Sequence, residues 1–570
     1  MRTVGIGIQS FEEMRRDKRQ FYVDKTDFLR DWYYKNDSVT LITRPRRFGK
    51  TLTMDMVNCF FSMAYEGRTE LFQDLNVSKD KDLMNLQGTL PVISLSFASV
   101  KAKSFHEFLI SITGIYAGLF SKFSYLADSP SLTKEDRELF AEIRKKNKKI
   151  PNDENELLAY EERITSGLQW LSEWLYSHHK KKVIILLDEY DKPLQEAFMH
   201  HYYDECISVI RTLFLKTFKE NEYLSRGIIT GITRITKESL FSDLNNLVVC
   251  SVLSGGYDTV FGFTSDEMEK IITEFELENS REVLRAWYDG FTIGKETDIY
   301  NPWSVINYLA NRHAEPRDYW AQSGGVGLLD QIVRRGKPQL QDQFQVLLRG
   351  GCIAPEITED LAFPDLYQDD RAVWSLLVSA GYLKPQGEKK LTFTNYEAKQ
   401  SLEKMVRNWF FLGSEDYIGN FVKAMLSGSL SQMNEEFSKI VLICASSFDS
   451  GIKPSLGSTQ PENYFHGLAT GLLVGLLGKY DLTSNSESGL GRYDLVLEPV
   501  DRKAHPYAYI LEFKVFSQEE GDKTIADTAK RAKRQIEEKK YDTKLLSRGF
   551  GKGEILKFGV GFRGKEALIV

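Results

Sequence analysis

Two stretches of the chain carry residue types whose spacing suits work on phosphate. The first is Arg44-Pro45-Arg46-Arg47-Phe48-Gly49-Lys50-Thr51, which matches the phosphate-cradling pattern G-x-x-x-x-G-K-[ST] except at its head, where Arg44 replaces glycine. Losing that glycine removes the residue that takes positive φ without cost, so the turn must be built differently. Backbone N–H groups of Arg47, Phe48 and Gly49 at a helix N-terminus are expected to face a triphosphate. Lys50 then reaches the β and γ oxygens, and the Thr51 hydroxyl ligates Mg2+. An apolar run ending in Asp188-Glu189 supplies the carboxylates that such chemistry needs, Asp188 for the hydrated metal and Glu189 to polarise the attacking water. Thr233-Arg234 closes a third run, where a polar side chain can sense the terminal phosphate.

The second stretch lies near the C-terminal end. Asp494 sits in GRYDLVLEP, and Glu512 and Lys514 sit in YAYILEFKVF. The polar connection VDRKAH joins these two runs, which read as a hairpin. Strand side chains alternate faces, so Glu512 and Lys514 share one face and Asp494 on the neighbouring strand can meet them. Two carboxylates and an amine at one spot suit phosphodiester hydrolysis. Asp494 and Glu512 are expected to hold one or two Mg2+ ions with the Phe513 carbonyl, and Lys514 to position the attacking water. Glu462 upstream is a further candidate ligand. Downstream, Ile525, Ala529, Ala532 and Ile536 form a helical stripe with Gln535 at its edge.

The elements that must carry these residues alternate between short apolar runs and amphipathic stretches, the pattern of a parallel sheet flanked by helices. Strands are expected over Ser38 to Thr43, Pro91 to Phe97, Val183 to Leu187 and Gly227 to Ile232, each ending in a polar or glycine-bearing turn where such sheets place ligands. The charged region from Asp128 to Glu162 reads as a solvated helical insertion. From Thr264 to Phe410 the pattern is mainly helical. AVWSLLVSAGYLKP followed by LTFTNYEAKQSLEKMV predicts helix, hairpin, helix, as in a winged-helix-like module. The expected segments are residues 1–263, 264–410 and 411–570.

A chain of 570 residues exceeds what one core needs, and 42% hydrophobic with 27% charged residues excludes a disordered or low-complexity chain. The net charge of −6 gives no global sign of nucleic-acid binding, so any such contact needs a local patch. The five cysteines are scattered without zinc-ligand spacing and read as reduced thiols. The glycine-punctuated run Leu468 to Leu477 is too short for a bilayer crossing, and the first residues lack a secretory pattern, so a cytoplasmic protein without membrane contact is expected.

Taken together, GIQSFEEMRR, FYVDKT, RPRRFGKT, LLDEYD, TGITR, WYDGF and YNPWS resemble the bacterial AAA-ATPase-like family that is often fused to a C-terminal PD-(D/E)XK nuclease domain. The resemblance implies an α/β fold with a P-loop NTPase parallel sheet, a helical and winged-helix-like middle, and a small α/β nuclease-like domain. It also implies that the replaced glycine belongs to the family pattern, and that Asp24, Lys25 and Thr26 approach the nucleotide. Arg234 becomes the sensor, and the winged-helix module packs beside the nucleotide. On the nuclease side the resemblance runs through Glu462, Asp494, Glu512, Lys514 and Gln535. The expected cofactors are ATP and Mg2+. The expected partners are nucleic acid, DNA ahead of RNA, and a further copy of the chain in a homo-oligomer. The function this implies is an ATP-binding and ATP-hydrolysing switch coupled to a Mg2+-dependent nuclease, in bacterial conflict with phage or mobile elements. A non-hydrolytic sensor or scaffold and a mobile-element recombination nuclease are the alternatives.

Overall fold

The computed structural model describes residues 2–145, 154–234, 240–241, 244–311, 315–320, 328, 338–348, 350–359, 362–367, 369–387, 389–411, 415–448, 476, 479–488, 491–563 and 566–570. Glu462 lies outside these residues. The chain divides into two compact units, the first made of residues 1–332 and 352–401 and the second of residues 333–351 and 402–570.

The first unit is built on five parallel strands, β1 (Val39–Thr43), β2 (Val92–Ser96), β3 (Val183–Asp188), β4 (Leu224–Gly231) and β5 (Leu247–Cys250), in the order β2-β3-β4-β1-β5. Burial on both faces explains why β1 and β3 read as continuous apolar runs. β1 and β3 flank β4, so the turns after all three emerge at one end of the sheet. The P-loop helix, Lys50–Phe61, buries Met54, Val57, Phe60 and Phe61 in the core beside the sheet. The charged region is helical as expected, over Lys134–Ile143 and the start of Glu154–His179, but it is not merely solvated. Phe140, Ile143 and Tyr160 are buried, and Phe140 packs on Phe120 and Trp174.

Beyond the sheet, the hairpin of β6 (Phe291–Ile293) and β7 (Glu296–Ile299) leads to the helix Pro302–Ala310. Asn301 caps this helix, its side chain accepting from the N–H groups of Trp303 and Ser304. The helix Asp370–Ser379, the hairpin of β8 (Leu383–Gln386) and β9 (Lys390–Phe393), and the helix Tyr396–Phe411 follow in the expected order. Gly381, at φ 88, links helix to hairpin, and a Cβ there would press on Pro45 of the P-loop.

The second unit holds the mixed sheet β10 (Tyr480–Ser488), β11 (Gly491–Pro499), β12 (Ala508–Val515), β13 (Ile555–Arg563) and β14 (Glu566–Ile569), in sequence order. All neighbours are antiparallel except β12 and β13. The helix Ile525–Glu538 makes the crossover between those two strands, as parallel pairing requires. It opens on a capping box, with Thr524 and Asp527 satisfying each other's backbone N–H.

Candidate functional site

The P-loop turn is built without a glycine at position 44. Its left-handed residues are Arg47 at φ 65 and Gly49 at φ 83, the latter at the N-cap of the helix. Arg44 is fully buried, and its guanidinium donates to the Thr43 carbonyl at 2.9 Å, the Cys250 carbonyl at 2.8 Å and the Gly256 carbonyl. Burial pushes it down to about 10, still cationic at neutral pH. The side chain that displaced the glycine therefore ties the end of β1 to β5. Lys50 is buried and donates to the Arg44 and Pro45 carbonyls, each at 2.8 Å. Burial lowers its ammonium to about 8 against the pull of Asp188, Asp191 and Glu189.

Asp188 ends β3 beside the loop. Its Oδ2 accepts the Thr51 hydroxyl at 2.7 Å, and its Oδ1 accepts the Thr230 hydroxyl from β4 and the Glu189 N–H. The hydroxyl and carboxylate expected to share a metal are adjacent, and both are the hard oxygen donors that Mg2+ prefers. Glu189 is left-handed at φ 53, with burial, then Asp188 and Asp191, raising its carboxyl above the ordinary range. Asp191 takes the Ile232 and Thr233 N–H groups and the Thr233 hydroxyl, locking the turn after β4 against the turn after β3.

A cavity of about 490 Å3 opens over Arg46 to Thr51 and includes Glu189. Its apolar lining includes Tyr22, Val260, Phe263, Trp303 and Ile306. Phe48 is buried beneath, edge-on to Phe291 at 4.8 Å, while Arg47 lies over the Trp303 ring at 4.2 Å. Of the three residues carried over from FYVDKT, only Lys25 lines the cavity, and it is bonded to Glu267 at 2.6 Å and the Thr259 carbonyl. Asp24 and Thr26 build the turn instead. Asp24 accepts from the Thr26 N–H and hydroxyl and from the Asn76 N–H. Arg234 is not among the lining residues and pairs with Glu359 at 3.7 Å. Lys101 and Lys192 line the cavity without having been legible, since neither falls in a fixed-position motif. Trp303 could have been found, because it lies in the YNPWS stretch.

In the second unit, Asp494 and Glu512 meet as expected from strand alternation. The β11–β12 register runs from Leu497↔Tyr509 to Leu495↔Leu511. One residue farther, side chains continue the exchange. The Phe513 N–H donates to Asp494 Oδ2 at 2.8 Å, and the Asp494 N–H donates to Glu512 Oε2 at 3.2 Å. Glu512 is buried at 1% exposure. Its Oε1 accepts the Gln535 amide and lies 3.9 Å from Lys514 Nζ. Gln535 also donates to the Tyr541 hydroxyl at 3.0 Å, whose proton is held more tightly chiefly because of burial. Tyr541 was not anticipated, since it falls past the helix whose stripe located Gln535. Carboxylate oxygens such as these are hard donors of the kind that Mg2+ prefers. Among the described residues no group of three or more His, Cys, Asp or Glu could hold a metal ion. Of the basic residues on the helix Ile525–Glu538, Lys530 and Arg534 are exposed, whereas Arg531 is bound to Asp522 at 2.7 Å.

Residues 5–241 match the family model described as predicted AAA-ATPase, and residues 460–570 match that of the PD-(D/E)XK nuclease superfamily. A protein of Azotobacter chroococcum mcd 1, described as an uncharacterized protein in the vnfD 5' region, is 24% identical over 406 residues, covering 70% of this chain and 68% of that one. Among the described residues no helix is long and apolar enough to cross a membrane.

Proposed function

Because this chain joins a predicted AAA-ATPase segment to a PD-(D/E)XK nuclease-superfamily segment, we propose that it is an ATP-hydrolysing switch that governs a metal-dependent nuclease acting on DNA. The observation that carries the reading is that Glu512 accepts the Asp494 N–H and Asp494 accepts the Phe513 N–H across β11 and β12, with Lys514 and Gln535 converging on Glu512. Thr51 and Asp188, bonded at 2.7 Å, support the nucleotide half.

Mg2+ would be held by Thr51 and Asp188 at one site, and by Asp494, Glu512 and the Phe513 carbonyl at the other, with Glu462 as a further proposed ligand. When bound, the ion neutralises charge on phosphate oxygens and lowers the pKa of a coordinated water. The chain's own residues orient and exchange protons. The backbone of Arg47 to Gly49 and the Lys50 ammonium grip the β and γ phosphates, and Lys50 must leave the Arg44 and Pro45 carbonyls to do so. Glu189, its carboxyl pKa raised, orients the attacking water and takes up its proton. Arg234 is the proposed γ-phosphate sensor, a role that requires it to exchange Glu359 for phosphate. At the other site Lys514 orients water toward the scissile phosphorus, and Gln535 fixes the Glu512 carboxylate. The setting we propose is bacterial conflict with phage or mobile elements.

Supercoiled plasmid incubated with the full chain and Mg2+, with and without ATP, tests this reading. Nicking should be lost in Asp494→Ala and Lys514→Ala and should change its ATP dependence in Lys50→Ala. Removal of one such group typically costs about 100-fold or more. Equal nicking by all four proteins points to a contaminant and sinks the nuclease reading. Nucleotide binding without turnover favours the non-hydrolytic sensor.

A further inference from the structure

We propose that Trp320 and Glu397 are positioning residues for the P-loop, holding the Arg46 carbonyl so that the following N–H groups face the phosphates. The inference rests on the reading of Gly49 to Thr51 as a triphosphate cradle.

The Trp320 indole N–H donates to the Arg46 carbonyl at 3.0 Å. A trans peptide is planar, with its N–H opposite its carbonyl, so fixing the Arg46 oxygen fixes the Arg47 N–H on the other side. The indole is 4% exposed and packs against Tyr382 at 4.9 Å and edge-on to Phe291 at 6.0 Å. Phe291 is the ring that backs Phe48. Thus two successive loop residues, Arg46 and Arg47, are gripped by two tryptophans, 320 and 303.

One carboxylate sets both tryptophans. Glu397 has no exposed surface, and its Oε1 accepts the backbone N–H groups of Tyr319 and Trp320, each at 2.7 Å. The Ser304 hydroxyl, next in sequence to Trp303, reaches both Glu397 oxygens at 3.0 and 2.8 Å. A carboxylate buried this deeply is a poor source of stability compared with an apolar residue of the same volume. What it supplies is direction, since a single acceptor aims two backbone donors and a hydroxyl that apolar packing would leave unaligned.

Without this brace the loop divides its time between competent and incompetent forms. Its apparent affinity then falls by the competent fraction, while the bound, competent complex reacts as before. The test is nucleotide binding by calorimetry, turnover and thermal melting on the full chain, for the wild type, Lys50→Ala, Trp320→Phe, Glu397→Gln and Glu397→Ala. Trp320→Phe keeps a ring against Tyr382 and Phe291 but removes the donor, and it should raise Kd for ATP and ADP alike by about tenfold with kcat at saturation retained. Glu397→Ala should do the same, and Glu397→Gln, which keeps a carbonyl acceptor, should stay within about threefold of the wild type. Where Glu397→Ala does not fold, Trp320→Phe decides. Unchanged Kd in Trp320→Phe while Lys50→Ala loses binding overturns the proposal and leaves the cradle standing, as does a fall in kcat with Kd unchanged. Failure of the wild type to bind any nucleotide removes the cradle and the brace together.

Discussion

Restoring the consensus at the head of the P-loop should harm this protein. Arg44 fills with three charge-assisted hydrogen bonds a position where most such loops have only a glycine, and two of them reach Cys250 at the end of β5 and Gly256 beyond it. Arg44→Gly offers the turn a freedom it does not use, since Arg44 is not among the positive-φ residues, and strands buried carbonyls. Unmet buried acceptors cost about 1–3 kcal/mol each before relaxation, so a loss of about 3 kcal/mol or more is expected as a lower melting temperature, with weaker nucleotide binding. Glu397 gives a pH prediction at the same scale. Burial lifts its carboxyl to about 7 against the opposing Trp320, Ser304 and Tyr319 donors, with Asp318 adding to the rise. The folded chain therefore holds that proton more tightly than the unfolded chain. Between the ordinary carboxyl range and about 7, folding takes up a proton, so stability falls as pH rises through that window and levels off above it. The amount is at most about 3 kcal/mol, at about 1.4 kcal/mol per unit. Melting curves from pH 5 to 8 should show this slope in the wild type and not in Glu397→Gln, and parallel slopes would refute the assignment.

Among the elements, the helix Ile525–Glu538 holds Gln535 against Glu512, and its placement depends on two glycines of β13. A Cβ on Gly559 would collide with the Ala529 carbonyl and the Lys533 N–H, and one on Gly561 would crowd the Ala529 N–H at 2.8 Å. Gly559→Ala should push the helix off the sheet and abolish nicking, with ATP turnover as the control that shows the first unit intact. A cut in nicking of less than about tenfold would mean that the helix accommodates the methyl group without moving Gln535. β1 and β3 were legible because each is a short, doubly buried run ended by a polar turn. β5 was not, since its Leu247, Val248 and Val249 are half-buried at the sheet edge and the run is four residues long. Nor was β10, whose TSNSES half has none of the alternation that marks a half-buried strand. Motif order put forward Lys50 and Asp188, and strand and helix periods put forward Asp494, Glu512 and Gln535. Neither could find the brace on Arg46, because residues 46, 304, 320 and 397 converge only through tertiary packing. Of FYVDKT, Lys25 lines the cavity, while Asp24 and Thr26 bond to each other and to the Asn76 and Val77 N–H groups.

At the scale of the whole molecule, the chain does not divide at one point. It leaves the first unit after Ile332, returns at Cys352 and leaves again after Ser401. The intervening segment belongs to the second unit, and its helix Pro338–Leu348 buries Leu340, Phe344, Leu347 and Leu348. A chain ended at Ser401 keeps that helix, with its four buried apolar side chains, but loses the rest of the unit to which it belongs. Each fully buried side chain of this kind is worth about 1.5–3 kcal/mol, so the truncated protein should bind a hydrophobic dye and aggregate. Replacing 333–351 by a short glycine-serine linker in the same truncation removes the stranded helix and should return a monodisperse first unit that binds ATP. Light scattering and nucleotide binding on the two truncations decide the matter. If both behave alike, residues 333–351 do not depend on the second unit, and the sites can be separated by a single cut.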